Sequence, residues 1–130
     1  MISINIVDED DIIYARSEAR RVAEEKGFSL MNKTRLATAV SELARNIYRY
    51  ADDGMVQIEP ISEDGVKVGI RCRFIDNGPG IKDIHQVMTD GFSTEKSLGY
   101  GLPGAKRLSD EFSISSEVGK GTSIEIIKWK

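Results

Sequence analysis

The chain has 130 residues, a formal net charge of −3, 40% hydrophobic and 30% charged residues, and a single cysteine. That length suits one domain over residues 1–130, able on folding to bury roughly two-thirds of the surface of the unfolded chain. The acidic balance excludes the basic face of a nucleic-acid binder, and no apolar run approaches the ~20 residues that cross a bilayer, so the sequence predicts a cytoplasmic protein with neither nucleic-acid nor membrane partners.

Ser3 to Val7 alternates apolar and polar residues like a short strand. The acidic run Asp8 to Asp11 opens a helix predicted to reach about Lys26, and Gly27 ends it. Asn32 or Thr34 can cap a second helix, whose Leu36, Val40, Leu43 and Ile47 recur at the spacing of one buried face. This helix stops near Asp52-Asp53-Gly54, and Met55 to Ile61 and Val66 to Ile75 follow as two strands joined at Glu63-Asp64-Gly65, an Asp-Gly turn of the hairpin kind. Cys72 sits in the apolar alternation of the second of these strands, reads as a buried structural thiol and has no partner for an internal disulfide. Ile81 to Met88 is a short helix, and Thr89 to Leu98 is polar and aperiodic, which suggests a mobile loop that closes over a bound ligand. Gly101 to Glu111 reads as a helix with Pro103 in its first turn, and Phe112 to Val118 and Thr122 to Trp129 as closing strands around Gly119-Lys120-Gly121. The pattern predicts an α/β (α+β) two-layer sandwich: a mixed sheet of about five strands with the helices on one face.

Four short motifs lie at the edges of these elements. On the second helix Glu42 and Asn46 stand one turn apart at the border of the apolar stripe. A carboxylate there can take a proton from a hydroxyl, and an Asn oxygen can ligate a hard cation such as Mg²⁺, although Glu and Asn are also common on solvated helix edges. Asp76-Asn77-Gly78-Pro79-Gly80-Ile81 follows a strand. Its glycines make a turn where a planar ligand can approach the backbone, and a buried Asp76 can accept an exocyclic amine such as that of adenine; the plain alternative is that Asp76 caps the next helix. Gly99-Tyr100-Gly101-Leu102-Pro103-Gly104 matches G-x-G-x-x-G, but no strand precedes it, so the dinucleotide reading fails and only bare N–H groups at a helix start survive from it. Gly119-Lys120-Gly121 lacks the first glycine and the hydroxyl of a Walker loop and is a tight turn, with Thr122 beside it as a hydroxyl donor. His85 has no His or Cys at ligand spacing and reads as a surface or boundary residue.

In order and spacing these segments resemble the Bergerat ATP-binding fold shared by gyrase, Hsp90, histidine kinases and MutL (the GHKL superfamily). The three nucleotide boxes correspond to Glu42 to Asn46, Asp76 to Gly80 and Gly99 to Gly104. Within it, Ser41-Glu-Leu-Ala-Arg-Asn-Ile47, Asp90-Gly-Phe-Ser-Thr94 and Gly99-Tyr-Gly-Leu-Pro-Gly-Ala-Lys-Arg-Leu108 are similar to the anti-sigma-factor serine/threonine kinases of the RsbT type, switch kinases of the bacterial stressosome.

The resemblance implies ATP and Mg²⁺ as cofactors. It makes Glu42 the general base, Asn46 the metal ligand, and Asp76 the reader of the adenine amine supported by Thr122. Gly78 and Gly80 admit the base beside Ile81, and Gly99, Tyr100, Gly101 and Gly104 lie by the phosphates, with Lys96 within reach of the γ-phosphate. It also implies STAS-domain protein substrates, and a phosphatase bound and activated after release. The chain departs from related kinases in carrying Arg45 before the metal asparagine and in having no arginine from Ser93 to Leu98. Two other readings compete. A detached histidine-kinase catalytic domain leaves the phosphoacceptor helix unaccounted for, because His85 precedes Gln86 rather than an acidic residue. A non-catalytic module using nucleotide only to hold a regulator has no need of Glu42.

Overall fold

The computed structural model describes residues 1–51, 53–88 and 101–130. Strand β1 (Ile2–Ile6) leads into α1 (Glu9–Glu25) and α2 (Leu30–Tyr50). Strands β2 (Gly54–Glu63) and β3 (Lys67–Asp76), helices α3 (Ile84–Met88) and α4 (Leu102–Leu108), and strands β4 (Glu111–Glu117) and β5 (Gly121–Trp129) complete the order.

Local chemistry sets the boundaries. Asp8 and Asp11 form a reciprocal capping box at the start of α1, Asp8 Oδ1 accepting from Asp10 N–H at 2.9 Å and Asp11 Oδ2 from Asp8 N–H at 3.1 Å. The bonds to its carboxylate from Val7 N–H and then Asp8 N–H hold the Asp11 carboxyl below its ordinary value of 3.8. A group whose pKa falls on folding stabilises the fold above its unfolded value and stops doing so as pH falls through the folded one. Asp11→Asn should therefore lower the melting temperature at pH 7 and converge with the parent protein below about pH 3, as thermal melts across pH 2–7 would show.

Ser29, rather than Asn32 or Thr34, caps α2: its Oγ accepts from Asn32 N–H at 3.1 Å, which places both expected caps inside the first turns. Between β2 and β3, Asp64 and Gly65 both have positive φ, and Val66 N–H closes the turn onto Glu63 O at 3.1 Å. Helix α3 starts at Ile84 rather than Ile81, because Ile81 N–H is held by Ser116 Oγ at 2.7 Å and Asp83 Oδ1 accepts from Gln86 N–H at 3.0 Å. Helix α4 ends at Leu108, after which Asp110 N–H pairs with Ile127 O at 2.9 Å and steers the chain into β4.

The five strands form one sheet in the order β1-β2-β3-β5-β4. The two-layer, five-stranded expectation holds, with one correction: every pairing is antiparallel, so the sheet is not mixed. The reason lies in the connections. Two helices between β1 and β2 carry the chain across the sheet and back, two hairpins invert it directly, and the crossover from β3 to β4 skips a strand, so the parallel pair β3 and β4 are not neighbours.

One face of the sheet carries Ile4, Val56, Phe74, Ile124 and Ile114 in a single cross-strand row, with Ile2, Ile58, Cys72, Ile126 and Phe112 in the next. Against these rows pack Ile12, Ala15 and Ala19 of α1, the predicted stripe Leu36, Val40, Leu43 and Ile47 of α2, and Leu102 and Ala105 of α4, in one continuous core. Burial without a polar partner pushes the Cys72 thiol far up, which makes it inert packing. The opposite face is polar: Arg71 bonds Glu59 at 2.7 Å and Arg73 bonds Glu125 at 2.7 Å across neighbouring strands. That inside-outside alternation is what a sheet covered on one face requires.

Candidate functional site

The row next to the core row is Gly54, Asp76, Thr122 and Ser116, on the same face of the sheet. Here the sheet runs on past the apolar rows, and a cleft opens between it and α2. Leu43, Ile47, Phe74 and Ile124 make its apolar walls, and Asn46, Asp76 and Thr122 bring the polar atoms. Pro79, Gly80, Ile81 and Leu102 complete one side. A mostly apolar cleft with a few convergent polar groups is the form expected of a small-molecule site.

Asp76 sits at the C-terminal end of β3, and its Oδ1 accepts two backbone N–H groups, from Gly78 at 2.9 Å and from Thr122 at 3.3 Å. It does not cap α3, a task that falls to Asp83. Among the described residues both donors to this carboxylate land on Oδ1, which leaves Oδ2 without a hydrogen bond. Thr122 shares a hydrogen bond with Ser116 at 2.8 Å, and Ser116 Oγ also bonds Gly121 O at 3.1 Å and Ile81 N–H. Ser116 is the residue that sequence reasoning missed. The signal was available, because a hairpin closed at Glu117 and Gly121 pairs Ser116 with Thr122.

The glycines turn out to make room for the protein itself. A Cβ on Gly78 would stand 2.8 Å from Ala51 Cβ at the end of α2, one on Gly80 (φ +78°) would run into Glu117 O, and one on Gly121 (φ +118°) into Asp76 O. These close approaches let the β4–β5 turn and the end of α2 meet at Asp76. Gly121→Ala is therefore expected to destabilise the fold by about 3 kcal/mol, combining positive-φ strain with a backbone collision. Urea unfolding measures this, and a loss under about 1 kcal/mol would show that the turn can move aside.

Glu42 lies outside the cleft lining, one turn of α2 from Asn46, half-exposed, with Arg45 Nη1 at 3.4 Å from its Oε1. Gly101 (φ +67°) is the N-cap of α4, and a Cβ there would come 2.9 Å from Glu42 Oε2, so the glycine leaves room for this carboxylate. Gly104 faces open space inside α4. The structure thus brings together Asn46, Asp76, Gly80, Ile81 and Thr122, with Glu42 and Gly101 paired at the rim. Lys96, Gly99, Tyr100 and the expected closing loop from Thr89 to Leu98 lie outside the described residues. His85 is exposed on α3.

Residues 31–130 match the family model described as histidine kinase-, DNA gyrase B-, and HSP90-like ATPase. The chain belongs to this family. It is 52% identical over 126 residues, covering 97% of this chain and 94% of the relative, to serine/threonine-protein kinase RsbT of Bacillus subtilis. An anti-sigma F factor of Geobacillus stearothermophilus is 36% identical over 102 residues, which cover 73% of this chain and 68% of that protein. Among solved structures, full-length ShkA in complex with AMPPNP superimposes with a TM-score of 0.56 at 20% identity, over 90% of this chain and 28% of that one, a likeness of fold. No helix among the described residues is long and apolar enough to cross a membrane.

Proposed function

We propose that this chain is an ATP-dependent protein serine/threonine kinase acting as one domain in the cytoplasm, with STAS-domain proteins of a stress-signalling complex as substrates. After release it binds and activates a phosphatase, switching partners. The observation that supports the nucleotide part is Asp76: the residue lines a largely apolar cleft and two backbone N–H groups occupy its Oδ1, which leaves Oδ2 as the acceptor this reading assigns to the adenine amine. The kinase part is supported by 52% identity along nearly the whole chain to a serine/threonine-protein kinase.

The residues present fit both cofactors. Adenine is planar and apolar on its faces, and Ile47, Phe74 and Ile124 offer it matching walls. Asn46 brings one side-chain amide to the same cleft, and among the described residues no three His, Cys, Asp or Glu side chains cluster as a metal cage. That suits Mg²⁺, which is usually held by few protein ligands together with phosphates and water. When bound, Mg²⁺ neutralises charge on the phosphates. In this reading Asp76 and Thr122 select the base, Asn46 would hold the metal, and Glu42 takes the proton of the partner's hydroxyl as its oxygen attacks the γ-phosphorus and the bond from that phosphorus to the β–γ bridging oxygen breaks, releasing ADP.

Transfer of labelled γ-phosphate to a purified STAS-domain protein, with the label stable to acid as a phosphoserine or phosphothreonine is, tests the whole. Labelling of the kinase chain itself on an acid-labile site would overturn it in favour of histidine phosphorylation.

A further inference from the structure

A second concavity lies on the outer side of the helical layer, between the start of α1 and the end of α2. It is lined by Glu9, Ile13, Arg16, Arg45, Tyr48 and Arg49 around the buried Ile12. Two of these are large apolar side chains held out to solvent, Ile13 at 52% and Tyr48 at 41% exposure. Three arginines face one glutamate here, in a chain whose net charge is −3. Among the described residues neither Arg16 nor Arg49 has an ion-pair partner, whereas Arg21, Arg71 and Arg73 are all paired with glutamates. A local excess of unneutralised guanidinium groups around exposed aromatic and aliphatic side chains is the composition of a protein-recognition surface for an acidic segment.

The groove also touches the proposed chemistry. Arg45 lines it and reaches Glu42 at 3.4 Å, and Glu42, Arg45 and Arg49 stand at i, i+3 and i+7, one stripe along α2. From Glu42 to Arg49 the helix rises about 10 Å, which an extended chain covers in about three residues.

Resting on the kinase reading above, we propose that this arginine groove docks an acidic segment of the protein substrate, placing a carboxylate about three residues from the phosphoacceptor while its hydroxyl meets Glu42. A docked carboxylate competes with Glu42 for Arg45, so docking and the freeing of the base are one event. Ile13 and Tyr48 supply the apolar contact that makes such a charged encounter specific.

The test is affinity for the purified STAS-domain protein of the transfer assay, measured by calorimetry with each kinase loaded with AMPPNP. Arg16→Glu combined with Arg49→Gln should weaken this binding at least tenfold. The wild-type affinity should fall as salt rises from 50 to 300 mM, on the scale expected of screened charges. Arg35→Glu, an exposed residue elsewhere on α2, should leave partner affinity within twofold, and all variants should keep the wild-type affinity for AMPPNP. If Arg35→Glu weakens partner binding as much as the groove variant, net charge rather than this groove is responsible and the proposal falls. If wild type phosphorylates the STAS protein and the groove variant binds it equally well, the groove falls and the kinase reading stands. If wild type neither binds nor phosphorylates it, both fall together.

Discussion

Asp76→Asn is expected to reduce ATP affinity by about 10²-fold or more, corresponding to roughly 3 kcal/mol, while leaving the fold intact. The two effects separate because of how the carboxylate is held. Gly78 N–H and Thr122 N–H both donate to Oδ1, and an asparagine can present its amide oxygen to the same two donors. Its NH₂ then occupies the place of Oδ2 and points a donor at the adenine amine, itself a donor. Binding loses a charge-assisted hydrogen bond and leaves two donors facing each other in an apolar cleft, each a cost of about 1–3 kcal/mol. Calorimetry with ATP measures the affinity, and thermal unfolding without nucleotide checks the fold. A variant that binds ATP within about threefold of wild type, roughly 0.6 kcal/mol, would leave Asp76 as a turn residue only.

Glu42→Gln should do the opposite: ATP affinity stays near wild type while phosphoryl transfer falls by about 10² or more, the usual scale for a positioned general base. The carboxylate is outside the cleft wall, so its loss leaves the nucleotide's contacts untouched. It stands one turn from Asn46 beside Gly101, whose missing side chain leaves room for it. Phosphoryl transfer has a loose transition state and leans less on a base than acyl transfer does, which sets 10² rather than a larger figure as the expectation. Single-turnover rates with the STAS protein decide the matter. Transfer at the wild-type rate would remove Glu42 from the chemistry.

Much of this architecture can be read from periodicity. The spacing of Leu36, Val40, Leu43 and Ile47 identifies the buried face of α2, and all four are at most 1% exposed. Alternation from Val56 to Ile58 and from Ile70 to Phe74 marks the strands and their inner face in the same way. Strand direction is a different kind of property. No local pattern tells whether two strands separated by a pair of helices run together or opposed, so the sheet reads as mixed from sequence and proves antiparallel throughout.

The site divides along the same line. Asp76 and Asn46 announce themselves because each ends or borders a recognisable element. Ser116 does not, since its importance comes from the residue opposite it in the hairpin and from Ile81, 35 positions earlier. Gly78, Gly80 and Gly121 are visible as glycines, but what each makes room for depends on chain that is remote in sequence.

The antiparallel contact of β3 with β5 has a consequence for the order of folding. Asp76 pairs with Thr122 across that contact, a separation of 46 residues, and Ser116 reaches Thr122 only through the hairpin that β5 makes with β4. The helices α1 and α2 and the β2–β3 hairpin are built from contacts nearer in sequence, whose loop-closure cost is lower. A chain emerging from the ribosome can therefore assemble α1, α2 and the β2–β3 hairpin before the cleft beside Asp76 exists. The cleft closes only when β5 slots between β3 and β4, so under the proposed reading competence to bind ATP reports that these three strands have joined.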